Sequence, residues 1–415
     1  MLSANETGSE SSLKYLNEKP PELEIEIPKE SDLTNDFREF KDVQLPIDIL
    51  LLTVKDIEFR SSYYYLRNVF RSYERALGLV YFGDMGEVGN TKLKVALFKC
   101  SEGATNPGGA LLAVKNAVTR LRPKAVFCVG FCGALHRDKT KLGDVIVSAK
   151  LTTYADRTVT NLGIYPRGFS VPVGNDIGGL IRSAGFGWKA PLKNPEERGS
   201  VKVYSDGEFL SGPEEIDFEQ RRCELVHRYP NAIGVEMDGQ GVFSAAHDLK
   251  MEWVVIKGVS NYADGTASFT EHWKPFASVM AASVVNNILR VPAVFKEWAH
   301  YTSSDTGRAQ NEDRTPTINN AATARRNSPN DILGSLLNSI TGDSGQISYK
   351  GREIHYTSRG RVHSLQEPWV FDATAWDLES GITIEARHYP RSQDAAYDAV
   401  KKLKEELRIK GLLSE

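Results

Sequence analysis

The sequence predicts an α/β domain, with a central mostly parallel or mixed sheet flanked by helices, followed by a small α+β module. Short runs rich in Val, Ile and Leu, each of strand length, recur between about Leu45 and Trp298. Between two of these runs, Leu111, Val114, Val118 and Leu121 fall on one helical face, which makes a strand, helix, strand unit of the kind that feeds a parallel sheet. The chain's 415 residues also exceed what one ordinary core absorbs, and the apolar periodicity stops after about Tyr301 and resumes near Gln346.

Residues 1–44 are polar and acidic and are expected to form a flexible lead-in. Their one alternating stretch, Glu22 to Ile27, has the pattern of an added edge strand. The α/β domain is expected over residues 45–298, with buried strands at Ile47 to Thr53, Lys94 to Cys100, Ala125 to Val129, Asp144 to Ser148 and Trp253 to Gly258, and a helix at about Pro275 to Arg290. Residues 299–345 are rich in Ser, Thr, Asn, Asp and Arg and read as a flexible linker.

The final module, residues 346–415, opens with a hairpin: Ile347 and Tyr349 alternate up to Lys350-Gly351, and Ile354 and Tyr356 alternate away from it. Trp369 with Phe371, then Ile382 with Ile384 across Ser380-Gly381, repeat the pattern. Ser392 can cap a last helix whose Ala396, Val400, Leu403 and Leu407 share a face, with Gly411 just past its end. No chemistry is visible in this module, and a regulatory partner is its expected ligand.

A composition of 41% hydrophobic and 25% charged residues is that of a soluble globular protein, and a net charge of −3 gives no reason to expect nucleic acid or an anionic membrane as partner. The first residues, MLSANETGSESS, have no apolar signal region, and no run reaches the length of a membrane span, so the cytoplasm is the expected compartment. Cys100, Cys128, Cys132 and Cys223 lack zinc-ligand spacing and read as reduced thiols; no metal or cofactor is called for.

Four segments concentrate the chemistry-bearing residues. LLTVKDIEF ends a strand in an acidic turn, where Glu58 is either a base or a partner of a helix dipole. SEGATNPGG and VGFCGAL are Gly-rich turns without a GxGxxG, which disfavours a dinucleotide site; around Phe131, Cys132 and Gly133 they fit either a backbone that meets a flat ligand or a tight turn in a packed sheet. YSDGEFLSG carries Phe209 and Leu210, an aromatic that could stack on a base or fill a core. GVEMDGQG, followed by VVIKGVSNYADG, sets Glu236, Met237 and Asp238 at a strand-to-helix turn, where the carboxylates suit either a vicinal diol or the charges of a helix start.

In this order the segments resemble the nucleoside phosphorylase and nucleosidase superfamily. The resemblance implies that Glu58 polarises an attacking water, that Phe131, Cys132 and Gly133 line the base site, and that Phe209 stacks on a purine while Leu210 offers backbone hydrogen bonds. It also makes Asp238 the ribose clamp, with Glu236 its companion and Met237 packed on the sugar. Water would be the only co-substrate, and a homo-oligomer is implied. One position departs from the nucleosidase pattern: after Ser260, where those enzymes carry an Asp that protonates the purine, this chain has Asn261, and an amide cannot deliver a proton at neutral pH.

Glu58 favours hydrolysis over phosphorolysis, because a carboxylate repels incoming phosphate. In TTYADRTV, the residue that faces the alkylthio end of the sugar in methylthioadenosine-type nucleosidases is Arg157, which suits a 5'-phosphate, with a solvated surface Arg as the alternative. The segments from GVSNYADG to FASVMAASVV further resemble nucleosidase effectors of innate immunity, some of which cleave ATP. The expected function is therefore an adenine nucleotide N-glycosidase, slow or inactivated because of Asn261. A purine nucleoside phosphorylase and a nucleotide-binding sensor stand as alternatives.

Overall fold

The computed structural model describes residues 18–89, 91–160, 163–302, 343–350, 352–361, 370–389 and 392–413. They fall into two compact units divided near residue 308.

The first unit is built on a 10-stranded mixed sheet, as the alternation of apolar runs requires. Its centre is β1 (Ile49–Thr53), buried along its whole length and parallel to both β4 (Leu93–Lys99) and β5 (Ala125–Ala134). Burial on both faces is why β1 reads as a continuous apolar run rather than an alternating one. Toward one edge, β4 is followed by β3 (Gly78–Met85) and β2 (Arg67–Glu74), both antiparallel. Toward the other come β12 (Glu252–Asn261), β6 (Val145–Thr153), β10 (Val203–Ser211) and β11 (Gly234–Glu236). Here β11 pairs back onto β5, with Val235 opposite Gly133, so this half of the sheet closes on itself.

Five helices pack around the sheet. They are α1 (Asp56–Tyr63), α2 (Ala110–Leu121), α4 (Glu219–Arg228), α5 (Gly239–Asp248) and α6 (Trp273–Ile288), with a shorter α3 (Asn175–Ile181) beside β12 and β6. The expected face of α2 is buried at Val114, Val118 and Leu121, whereas Leu111 is only partly covered. A hairpin of β7 (Arg157–Thr160) and β8 (Gly163–Pro166) and a short β9 (Ser170–Pro172) complete the unit.

The lead-in expectation is corrected over residues 18–44. Leu23 bridges Leu192, Glu24 N donates to Pro191 O at 2.8 Å, and Lys193 N donates to Glu22 O at 3.0 Å. Leu23, Ile25 and Ile27 pack against the core, so the alternating stretch lies along the domain as its pattern allows. Residues 1–17 and most of the expected linker, 303–342, lie outside the described residues.

The second unit is an antiparallel four-stranded sheet, β13 (Asp343–Tyr349), β14 (Arg352–Arg361), β15 (Val370–Asp377) and β16 (Thr383–Tyr389), covered by α7 (Ser392–Ile409). Tyr349 faces Arg352 across the expected hairpin, and Ala399, Leu403 and Leu407 of α7 are buried against the sheet. Gly351 and Trp369, part of the hairpin pattern, lie outside the described residues.

Candidate active site

The candidate residues gather at the carboxyl ends of β1, β5, β10, β11 and β12, where an open α/β sheet ordinarily receives its ligand. They line a cavity of about 150 Å³. Wider hollows exist, one of about 770 Å³ beside α7, but this one holds the buried carboxylates.

Glu58 is 2% exposed although it belongs to the first turn of α1. Its Oε2 accepts from Val54 N and Lys55 N, both at 2.8 Å, and closes the helix's N-terminus; its Oε1 accepts from Phe131 N at 3.0 Å. One carboxylate thus closes the helix start and lines the cavity. Burial pushes its pKa up, against the pull of Lys257 and the backbone donors. Gly130 makes the approach possible, since a Cβ there would lie 2.0 Å from Glu58 Oε1. We expect Gly130→Ala to displace the carboxylate and to cost about 1–3 kcal/mol of stability, read as a lower denaturation midpoint with loss of activity; an unchanged midpoint and full activity would contradict the packing described.

Asp238 lies at the N-terminus of α5, 5% exposed. Its Oδ1 accepts from Gly103 N at 2.9 Å, and its Oδ2 pairs with Lys257 Nζ at 3.0 Å. Gly103, at φ +89°, adopts the left-handed backbone needed to aim that N–H. Lys257 is 2% exposed in the middle of β12. Burial works against its charge, but Cys128 and the Asp238, Glu58 and Glu236 carboxylates outweigh it and hold its pKa above the ordinary lysine value. Sequence reasoning missed this residue. A lysine inside the run VVIKGVS is its one local signal, because a charge in a buried strand requires a partner.

Glu236 lines the same cavity and also serves the helix that follows it. Both its oxygens are taken by backbone N–H groups, Oε2 by Asp238 N at 2.9 Å and Oε1 by Gly239 N at 3.0 Å, so it holds the start of α5. Burial raises its pKa as well. Met237 lines the cavity beside it.

Strand β12 carries a bulge between Val259 and Asn261, an irregularity that re-aims side chains at strand ends. Ser260, buried, donates to Cys132 O at 3.2 Å; Asn261 lines the cavity, donating to Ser260 Oγ at 3.3 Å and accepting from Ala263 N at 2.9 Å. Phe131, Cys132 and Gly133 form the adjoining wall. Burial keeps the Cys132 thiol protonated, its pKa well above the ordinary value.

Four expected residues are absent from the cavity lining: Ser260, buried behind Asn261, and Phe209, Leu210 and Arg157. Phe209 is fully buried in the main core, against Gly234, and Leu210 points the other way, into the cluster of Val235 and Ala263. Strand alternation sends the two to opposite apolar faces, so both fill core. The wall expected from them is supplied downstream by Glu214, Glu215, Ile216 and Asp217. Arg157 is exposed at the start of β7, with Nη2 3.4 Å from Glu214 Oε1. Arg221 binds the same carboxylate at 2.7 and 2.9 Å. Lys55, Lys274, Glu102 and Glu271, which sequence reasoning also missed, are in the lining. Among the described residues no cluster of His, Cys, Asp and Glu could hold a metal ion, and no helix is long and apolar enough to cross a membrane.

The family model of the phosphorylase superfamily matches residues 60–290, more than half of the chain. The chain belongs to the phosphorylase superfamily. Among curated proteins, this superfamily member is 28% identical over 270 residues to a "Death domain-containing ATP nucleosidase" of Amphimedon queenslandica, a match that covers 59% of this chain and 48% of that protein. The chain thus spans about half the length of that relative. It is 22% identical to a 5'-methylthioadenosine/S-adenosylhomocysteine nucleosidase of Buchnera aphidicola, over 49% of this chain and 86% of that one. A solved nucleosidase of the same description from Neisseria meningitidis is 18% identical, with a TM-score of 0.48, over 59% of this chain and 98% of that chain.

Proposed function

We propose that this chain hydrolyses the bond between adenine and ribose in an adenine nucleotide. The observation that carries the proposal is the convergence of Glu58, Asp238 and Asn261 on one cavity, with Lys257 fixing the clamp carboxylate. A ribose set on Asp238 brings its anomeric carbon to the Glu58 side. Glu58 Oε1, with one lone pair on Phe131 N, keeps another for a water proton. The carboxylates favour the positive charge that develops on the sugar, and Asn261 offers one N–H to the departing base. The same carboxylates repel phosphate, which favours hydrolysis over phosphorolysis.

The names of the curated relatives support nucleoside cleavage, and that of the Amphimedon queenslandica protein supports ATP as substrate. A defence role, with the second unit as a regulatory or assembly module, is part of the proposal and rests on the sequence resemblance to nucleosidase effectors. A homo-oligomer is part of the proposal. Asn261 in place of an acid makes turnover slow.

Glu58→Gln tests the base. The substitution is expected to lower hydrolysis by about 10²–10⁴-fold and to leave nucleotide bound, as measured by adenine release beside calorimetry. Full activity in this variant would remove Glu58 from the chemistry. The raised pKa of Glu58 also fixes a pH dependence. Activity needs the carboxylate, so it falls as pH drops through a value above the ordinary glutamate range. Stability runs the opposite way, because a raised folded-state pKa favours the folded form at low pH and loses that contribution as pH rises through it.

A further inference from the structure

We propose that Lys55 and Lys274 form the subsite for the 5'-phosphate chain, and that Glu102 and Glu271 hold their place until the nucleotide arrives. This rests on the nucleotide reading above. Only three cations line the cavity among the described residues: Lys55, Lys257 and Lys274. Lys257 is committed to Asp238 and has no surface to offer. The other two keep their ammonium groups at the mouth, with side chains 44% and 28% exposed.

Both flank the reacting position. Lys55 donates its backbone N–H to Glu58, and Lys274 Nζ stands 5.4 Å from the ring centre of Phe131, whose own N–H binds Glu58. Glu102, the partner of Lys55 at 2.8 Å, immediately precedes Gly103, whose N–H holds Asp238. The Lys55 pair therefore stands at the sugar end of the cavity, from which a 5' substituent departs. Lys274 pairs with Glu271 at 2.5 Å.

Carboxylate oxygens 2.5–2.8 Å from each ammonium occupy the positions that phosphate oxygens would take. Binding is then an exchange of one anionic partner for another, with no bond made or broken. Partly exposed pairs of this kind hold weakly, so displacing the two carboxylates costs little. Arg157, the residue that the sequence puts forward for phosphate, instead joins Arg221 in neutralising Glu214, a wall carboxylate that would otherwise repel the ligand.

The test is the ratio of dissociation constants for ATP and adenosine, by calorimetry on the full chain, for wild type, Lys55→Met, Lys274→Met and Glu102→Gln. Each lysine variant should weaken ATP relative to adenosine by about 10-fold or more, and Glu102→Gln should shift the ratio the other way. Backbone donation from residue 55 to Glu58 survives the Met substitution. Ratios unmoved in both lysine variants would overturn the subsite, as would an Arg157→Ala variant that alone abolishes the preference for ATP. Adenine release, followed in parallel, judges the nucleosidase reading separately.

Discussion

Asp238→Ala is expected to abolish nucleotide binding and to cost the fold roughly 3–5 kcal/mol, the penalty typical of leaving one member of a buried ion pair alone. A clamp residue met in the sequence alone looks dispensable to folding, because it is polar and near a surface cleft. The structure changes that expectation: Asp238 Oδ2 lies 3.0 Å from Lys257 Nζ, both side chains are almost fully covered, and Oδ1 holds the Gly103 turn. Removing the carboxylate deprives Lys257 Nζ of its hydrogen-bonded partner and leaves a buried ammonium with Glu58 and Glu236 as its nearest opposing charges. The double variant Asp238→Ala with Lys257→Met removes the unpaired ammonium and should regain part of the stability, not all of it, because Glu58 and Glu236 lose the cation that faces them, and binding should not return. Urea denaturation of wild type, single and double variants, each with a nucleotide titration, reads both effects. A single variant as stable as wild type would contradict the buried pair as described.

Asn261→Asp is expected to speed hydrolysis by about 10²–10⁴-fold, the usual worth of a placed general acid. The bulge in β12 already aims position 261 into the cavity, with Ser260 and Ala263 N as its partners. An aspartate keeps the acceptor toward Ala263 N and presents its other oxygen, protonated when the pKa is raised by the surrounding apolar wall, toward the base. The sign of the pH effect is distinct from that of Glu58. A general acid works protonated, so the variant should lose rate as pH rises through the pKa of the introduced carboxyl group, an alkaline fall that the Asn enzyme lacks. Equal rates and equal profiles would remove position 261 from proton transfer.

Much of this is legible in the sequence. The all-apolar run of β1, the helical face of α2, the pairing of β13 with β14 and the turn at Ser380-Gly381 follow from periodicity and turn chemistry, which are local. Glu58, Asp238 and Asn261 were singled out by the superfamily resemblance of their motifs, and they meet because those motifs end strands at one edge of the sheet. What was not legible depends on contacts between distant segments. The pairing of Lys257 with Asp238, the two lysines at the mouth and the docking of Leu23 on Leu192 have no local pattern that names the partner. Phe209 shows the opposite error: its motif pointed to a ligand, but its position in the pleat points to core.

Adenine release from ATP in phosphate-free buffer, followed with and without added phosphate, tests the central claim most directly. The account predicts slow release of free adenine with ribose triphosphate as the other product, at a rate that added phosphate does not raise. Release that begins only when phosphate is added, or an absence of adenine at every enzyme concentration while ATP stays bound, would contradict it.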